Sequence, residues 1–248
     1  MKVLGIDTAT ATASVALVDD GRLVGEAVHP NGSGADGARI RLEKPNHAEI
    51  LLPLIGQLLQ GTGLSLVDVS ALAVSIGPGS FTGLRIGLST VKGLAYGWGI
   101  PVVGVPTLEA VAARVTKWEG LICPVLDARK REVYAALFRR RSETIERLTE
   151  DLVCTPEQMI ERIGSLDTSS PCLFIGDGAR AYSEQISGVL GARAALSSGE
   201  VLVSTAGAVA RLGAQRLTHS APDPLGALVL RYLRPAEAEI KRERRDKL

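Results

Sequence analysis

One stretch, residues 71–99 (ALAVSIGPGSFTGLRIGLSTVKGLAYGWG), constrains this chain more than any other. Its first six residues are Ala, Leu, Val, Ser and Ile only, the pattern of a strand buried on both faces. Gly77-Pro78-Gly79 follows as a tight turn, in which glycine accepts positive φ and proline fixes its own. Ser80 or Thr82 is placed to cap the next helix by accepting from its free N–H groups. That helix, expected over 82–97, carries Gly83, Gly87 and Gly93 inside and Gly97 at its end. Each interior glycine costs about 1 kcal/mol relative to alanine. Close approach of another backbone offsets such costs, so the helix is expected to be an interface element, against its own core and against another chain.

The remaining chain reads as alternating strands and helices. Lys2–Asp7, 14–19 and Arg22–His29 are expected strands, with a hairpin turn at Asp19-Asp20-Gly21. Residues 31–45 are glycine-rich and polar, a surface loop. A helix over 46–60 has Asn46 as cap and Glu49 three residues on, and Ile50, Leu51, Leu54, Ile55, Leu58 and Leu59 form a broad apolar stripe. Pro53 should kink it and Gly61 should end it. Strand 101–105 and helix 107–117 complete a first α/β unit. Strand 121–126 then ends in Asp127, before a polar turn and a strand over 132–139. This repeats the strand–Asp–turn–strand pattern around Asp7 and suggests two duplicated domains. Helices are expected over 155–163, 179–190 and 204–217, with a strand over 172–175. The helix over 204–217 is placed back on the first domain. The expected division is 1–117 plus 204–220, then 118–203, then a C-terminal segment 221–248 with a charged tail (240–248).

Composition narrows the function classes. The 248 residues are 46% hydrophobic and 22% charged, ordinary for a globular protein. A net charge of +1 gives no overall pull toward nucleic acid or membrane, and 4% aromatics argue against stacking platforms for single strands. Three cysteines, none in C-x-x-C spacing, fit neither a disulfide framework nor a zinc site. No signal pattern or membrane span is visible, and the expectation is a cytoplasmic protein.

Asp7-Thr8-Ala9-Thr10 stands where an actin-like fold holds its first phosphate loop, but alanine replaces the glycine that lets phosphate approach the backbone. Asp127-Ala128-Arg129-Lys130-Arg131, the second such loop, also lacks glycine. Gly176-Asp177-Gly178-Ala179 resembles the adenosine loop. Asp7, Thr8, Asp127, Gly176 and Gly178 therefore read as a degenerate nucleotide site. His47 lacks a second helical ligand, since position 51 is Leu, so no metal site is expected. Ser80 is not in a nucleophile elbow, and no catalytic residue is assigned. Arg85 and Lys92 read equally as solvated charges or partner contacts. Two rival readings are an ATP-dependent kinase or phosphatase using Asp7 and Asp127, and a glycoprotease-like metallopeptidase.

GIDTATATASVAL (5–17), NHAEILLPLI (46–55), SIGPGSFTGLRIGLSTVKGLAYG (75–97), LDARKREVYAALF (126–138), IGDGA (175–179) and YLRP (232–235) together resemble the TsaB (YeaZ) family. The resemblance implies an α/β actin-like, Hsp70-like (ASKHA) fold of two duplicated domains with mixed sheets. It also implies a non-catalytic subunit in making N6-threonylcarbamoyladenosine at position 37 of tRNA. TsaD, which transfers the threonylcarbamoyl group from threonylcarbamoyl-AMP, is the implied heterodimer partner. TsaE, an ATPase, is implied to join them, with tRNA met only through the complex. The implied surface is the helix pair 46–60 and 82–97, which also serves a homodimer. On the first helix it would use His47, Ile50, Leu51, Leu54 and Leu58. On the second it would use Gly83, Leu84, Arg85, Gly87, Thr90, Val91 and Leu94. No cofactor of its own is implied, with ATP or ADP confined to the complex interface.

Overall fold

The computed structural model describes residues 1–10, 12–29, 47–142, 144–166, 169–197 and 204–234. The loop expected over 31–45, the Asn46 cap and the charged tail lie outside the described residues.

Five strands make the first sheet: β1 (Lys2–Asp7), β2 (Ala13–Asp19), β3 (Arg22–His29), β4 (Ala71–Ser75) and β5 (Val102–Val105). Their order is β3-β2-β1-β4-β5, with β1, β2 and β3 an antiparallel meander and β4 and β5 parallel to β1. The β2–β3 turn places Asp20 and Gly21 at φ 46° and 79°, the left-handed pair that a two-residue hairpin favours. The second sheet contains β6 (Gly120–Arg129), β7 (Glu132–Ala135), β8 (Phe138–Arg141), β9 (Thr144–Arg147), β10 (Leu152–Cys154), β11 (Cys172–Ile175) and β12 (Ala194–Leu196). Its order is β10-β7-β6-β11-β12, with β7 and β10 antiparallel and β11 and β12 parallel in the places that β2, β3, β4 and β5 hold in the first. The strand–Asp–turn–strand repeat is thus one unit of a repeated sheet, and the fold is the two-sheet α/β actin-like one. β8 continues the line of β7 along β6 and pairs outward with β9.

Strand alternation decides which helix covers which face. Leu4 and Ile6 of β1, with Leu72 and Val74 of β4, face α1 (His47–Thr62) and α2 (Phe81–Trp98), packing with Leu51, Leu54, Leu58, Leu88 and Val91. Val3, Ala71 and Ala73 point to the other face, where α7 (Ala206–His219) contributes Ala208, Val209 and Ala210. That seam is built for close approach: a β-carbon on Gly5 would run into the Ala206 carbonyl oxygen and lie 2.6 Å from the Ala210 nitrogen. α3 (Thr107–Ala113) ties the sheets together, since Leu108, Val111 and Ala112 pack with Ile122, Phe138 and Ile175. The second sheet's other cluster joins Cys123, Val125 and Phe174 to Met159, Ile160 and Ile163 of α4 (Pro156–Leu166) and Ile186 of α6 (Ser183–Leu190).

Several element ends depart from expectation for local reasons. α1 runs through Pro53 and past Gly61 to Thr62, and the stop is Gly63 at φ 68°. α2 passes Gly97 and ends at Gly99, left-handed at φ 66°, so position rather than glycine alone selects the terminator. α3 stops at Ala113 instead of 117, and the helix expected over 179–190 is two, α5 (Asp177–Ala181) and α6, divided at Tyr182. Cys123 and Cys172 are buried thiols and Cys154 is partly buried, and no disulfide joins any of the three. No helix among the described residues is long and apolar enough to cross a membrane.

These contacts predict opposite effects for two glycines. Gly5→Val forces α7 off the sheet and should lower unfolding free energy by about 3 kcal/mol or more, because backbone cannot yield as side chains do. Gly93, with nothing among the described residues within 4 Å of its β-carbon position, should gain about 0.5–1 kcal/mol as alanine. Urea unfolding of both variants checks the pair.

Candidate functional site

The end of β1 is where the fold would place its first phosphate loop, and there Asp7 is fully buried. Asp7 Oδ1 accepts from the Ala9 N–H at 3.0 Å, and Asp7 Oδ2 accepts from the Thr205 hydroxyl at the start of α7. Burial pushes the Asp7 carboxyl up from its ordinary range. The Ser75 hydroxyl, the Ala9 N–H and the charges of His47 and Arg114 act the other way. The next residues are held onto α2. Thr8 Oγ1 donates to the Gly83 carbonyl at 2.7 Å, and Ser80 N–H donates to the Ala9 carbonyl at 2.7 Å. Ser80 Oγ caps α2 by accepting from Gly83 N–H at 3.2 Å.

This arrangement explains the α2 glycines. A β-carbon on Gly83 would collide with the Thr8 carbonyl, and one on Gly87 with the Thr8 hydroxyl; Gly79 faces Ala9 in the same way. The close backbone that offsets Gly83 and Gly87 therefore belongs to the chain's own β1–β2 turn. Gly93 and Gly97 face open space among the described residues.

The other two nucleotide-loop turns are also closed by internal bonds. Asp177 Oδ1 accepts from Asp127 N–H at 3.0 Å and from Gly178 N–H at 2.9 Å, and Asp127 Oδ1 accepts from Arg129 N–H at 2.8 Å. Phosphate loops work by offering a row of free backbone N–H groups. Here Ala9, Asp127, Arg129 and Gly178 already spend theirs on carboxylates, so these turns do not fit a polyphosphate. Gly176 and Gly178 are glycines because they press against Val125 and Leu126 of β6, where a β-carbon at Gly176 would strike the Val125 carbonyl. Sequence alone offered no sign of Thr205 or Asp177 as the groups that close the turns, since their partners lie 198 and 50 residues away in the chain.

His47 opens α1, buried, with its Nδ1 3.1 Å from the β-carbon position of Gly83 and its Nε2 without a hydrogen-bond partner among the described residues. Leu51, one turn on, is core. Among the described residues no three His, Cys, Asp or Glu side chains are grouped as metal ligands.

The residues expected to meet a partner divide between two faces. His47, Ile50, Leu51, Leu54, Leu58, Gly83, Leu84, Gly87 and Val91 are buried within the chain, because they form the inner face of the α1–α2 pair and pack on the sheet. Arg85 is exposed, and Thr90 and Leu94 are partly so. The outer face consists of residues that the stripe argument passed over: Leu52 at 54% exposure, Pro53 and Gly56 on α1, and Ser89, Gly93, Tyr96 at 86% and Gly97 on α2. Small residues at 89, 93 and 97, one turn apart, lie on this face beside the exposed Tyr96.

Comparison with known proteins supplies the kinship. The family model described as "TsaD: tRNA N6-adenosine threonylcarbamoyltransferase" matches residues 41–240. The tRNA threonylcarbamoyladenosine biosynthesis protein TsaB of Bacillus subtilis is 32% identical over 241 residues, 97% of both chains. The Escherichia coli protein of that name is 36% identical over 83% of both. A crystal structure of YeaZ from Pseudomonas aeruginosa superposes with TM-score 0.73 at 27% identity, covering 94% of this chain and 99% of that one. Ethanolamine utilization protein EutJ from Carboxydothermus hydrogenoformans, 17% identical with TM-score 0.52 over 86% of this chain and 90% of its own, shares the fold. With relatives this similar over nearly its whole length, the chain belongs to the TsaB family.

Proposed function

We propose that this chain is the non-catalytic subunit of a complex that installs the threonylcarbamoyl group on adenosine 37 of tRNA. It would activate a TsaD-type transferase by docking on it. The observation that carries the reading is the closed state of the three turns: both Asp7 oxygens and four backbone N–H groups that a nucleotide would need are satisfied inside the protein. A fold that has turned its phosphate loops into internal hydrogen bonds retains its shape and its surfaces. ATP hydrolysis is then left to a separate TsaE-type subunit, and any nucleotide is held only at the shared interface. The complex works in the cytoplasm, with its tRNA.

The docking surface is the outer face of α1 and α2. Gly93 and Gly97 let a partner helix approach the α2 backbone, while Leu52 and Tyr96 supply apolar area. The same face would serve a homodimer when the partner is absent.

Gly93→Leu places a bulky side chain on the outer face of α2 without touching the described fold. It should leave unfolding free energy at or above wild type, while weakening association with the TsaD-type partner at least tenfold by gel filtration or calorimetry. Reconstituted tRNA modification should depend on this chain and fall in parallel. Unchanged association would overturn the docking face, and full activity without this chain would overturn the accessory role.

Asp7 gives a second test. Its carboxyl binds a proton more tightly in the folded than in the unfolded chain, so its contribution favours folding at acid pH. That contribution is lost as pH rises from the ordinary carboxylate range through the raised value. Asp7→Asn should therefore remove a fall in stability with rising pH over that window, read by urea unfolding at a series of pH values. It should leave tRNA modification by the complex intact. Loss of modification with folding preserved would instead revive a chemical role for Asp7.

A further inference from the structure

The β6–β7 turn is a costly way to connect two strands. Arg129, Lys130 and Arg131 all lie in the left-handed region, at φ 64°, 54° and 61°, where glycine or asparagine would sit with less strain. The turn holds three long cations out toward solvent, and the Arg129 side chain is 86% exposed. The C-terminal segment extends this charge toward the first domain. Arg234 donates to the Ala128 carbonyl at 3.0 Å and pairs with Glu132, and two residues earlier Tyr232 reaches α2. There the Arg85 guanidinium lies 4.0 Å over the Phe81 ring, and its Nε donates to the Tyr232 hydroxyl at 3.1 Å. The Phe81 and Tyr232 rings are 5.0 Å apart. Two residues of chain span at most about 7 Å, so the segment from Tyr232 to Arg234 is a short ridge that links α2 to the β6–β7 turn.

The carboxylates beside the ridge are largely committed. Glu132 is paired with Arg234, Asp127 takes the Arg129 N–H and lies 3.6 Å from its guanidinium, and Asp177 takes the N–H groups of Asp127 and Gly178. Arg85, Arg129, Lys130, Arg131 and Arg234 thus stand against three carboxylates, which leaves this edge positive in a chain whose net charge is only +1. Arg85 uses only its Nε in the aromatic stack among the contacts described. Its planar Nη groups are held flat for the bidentate grip that suits phosphate.

We infer that this ridge binds the sugar–phosphate backbone of a folded RNA. The choice of tRNA as that RNA rests on the proposed function. Fixed, separated guanidinium groups with few exposed rings match a backbone read by charge and shape; they do not make a stacking platform for bases. An acidic protein surface would meet the same charges, and the test separates the two.

The experiment measures tRNA binding against salt for the full chain, alone and with its TsaD-type partner, by filter retention. The Arg129→Ala/Arg131→Ala double variant should weaken binding at least severalfold. It should also lower the slope of log affinity against log salt by about two, roughly one per lost phosphate contact. Arg129→Lys/Arg131→Lys keeps the charges and should keep the slope, which separates charge from folding. Equal affinity and equal slope for wild type and the alanine variant, in both settings, would overturn the proposal. So would retained tRNA binding with lost binding to poly-glutamate. Gel filtration of the same samples reports pairing with the partner independently, so a failure of the accessory reading is seen apart from a failure of the ridge.

Discussion

The clamp between the β1–β2 turn and the first two turns of α2 is the contact on which the rest of this structure depends. Gly79, Gly83 and Gly87 remove the β-carbons that would hold the two backbones apart, and Thr8 and Ala9 then bond directly to the helix. Thr205 completes the clamp from α7 on the far side of the sheet. One short turn is thereby fixed by elements more than 70 and nearly 200 residues away in sequence. Its Ala9 N–H is spent on the Asp7 carboxylate. A turn that receives phosphate offers such N–H groups free, and here the Ala9 N–H has exchanged availability for rigidity.

That exchange organises the surface as well. With the inner faces of α1 and α2 committed to the sheet, only their outer faces can meet another molecule, and there the packing cost of glycine is not recovered within the chain. Gly83 and Gly93, each opening a G-L-x-x-G run, thus have different physical meanings. The first is a glycine because Thr8 needs its space; the second is an unfilled position on an exposed helix.

Much of the architecture was legible because its signals are local and periodic. The buried runs at Lys2–Asp7 and Ala71–Ser75, the turn at Asp20-Gly21 and the capped helix after Ser80 each follow from a few neighbouring residues. The repeated strand–Asp–turn–strand unit gave the duplication, and the two sheets carry it in the same order. The site was legible only in part. Missing glycines at Ala9 and across 127–131 pointed to altered phosphate loops, but nothing nearby in sequence names Thr205 or Asp177 as the groups that close them. The apolar stripe 50–59 was expected to meet a partner, yet it packs on the chain's own sheet; periodicity marks an apolar face and cannot say which surface covers it. Strands as short as β9, β10 and β12 show too few alternations to be read at all.

Hydrogen exchange on the full chain, with Mg-ATP or with the TsaD-type partner added, tests the central claim most directly. The account predicts that amides at 7–10, 127–129 and 176–178 exchange at the same rate with and without nucleotide. It predicts that those at 52–57 and 89–97 slow when the partner is added. Nucleotide-dependent slowing in the three turns, with the outer helix faces unaffected by the partner, would contradict it.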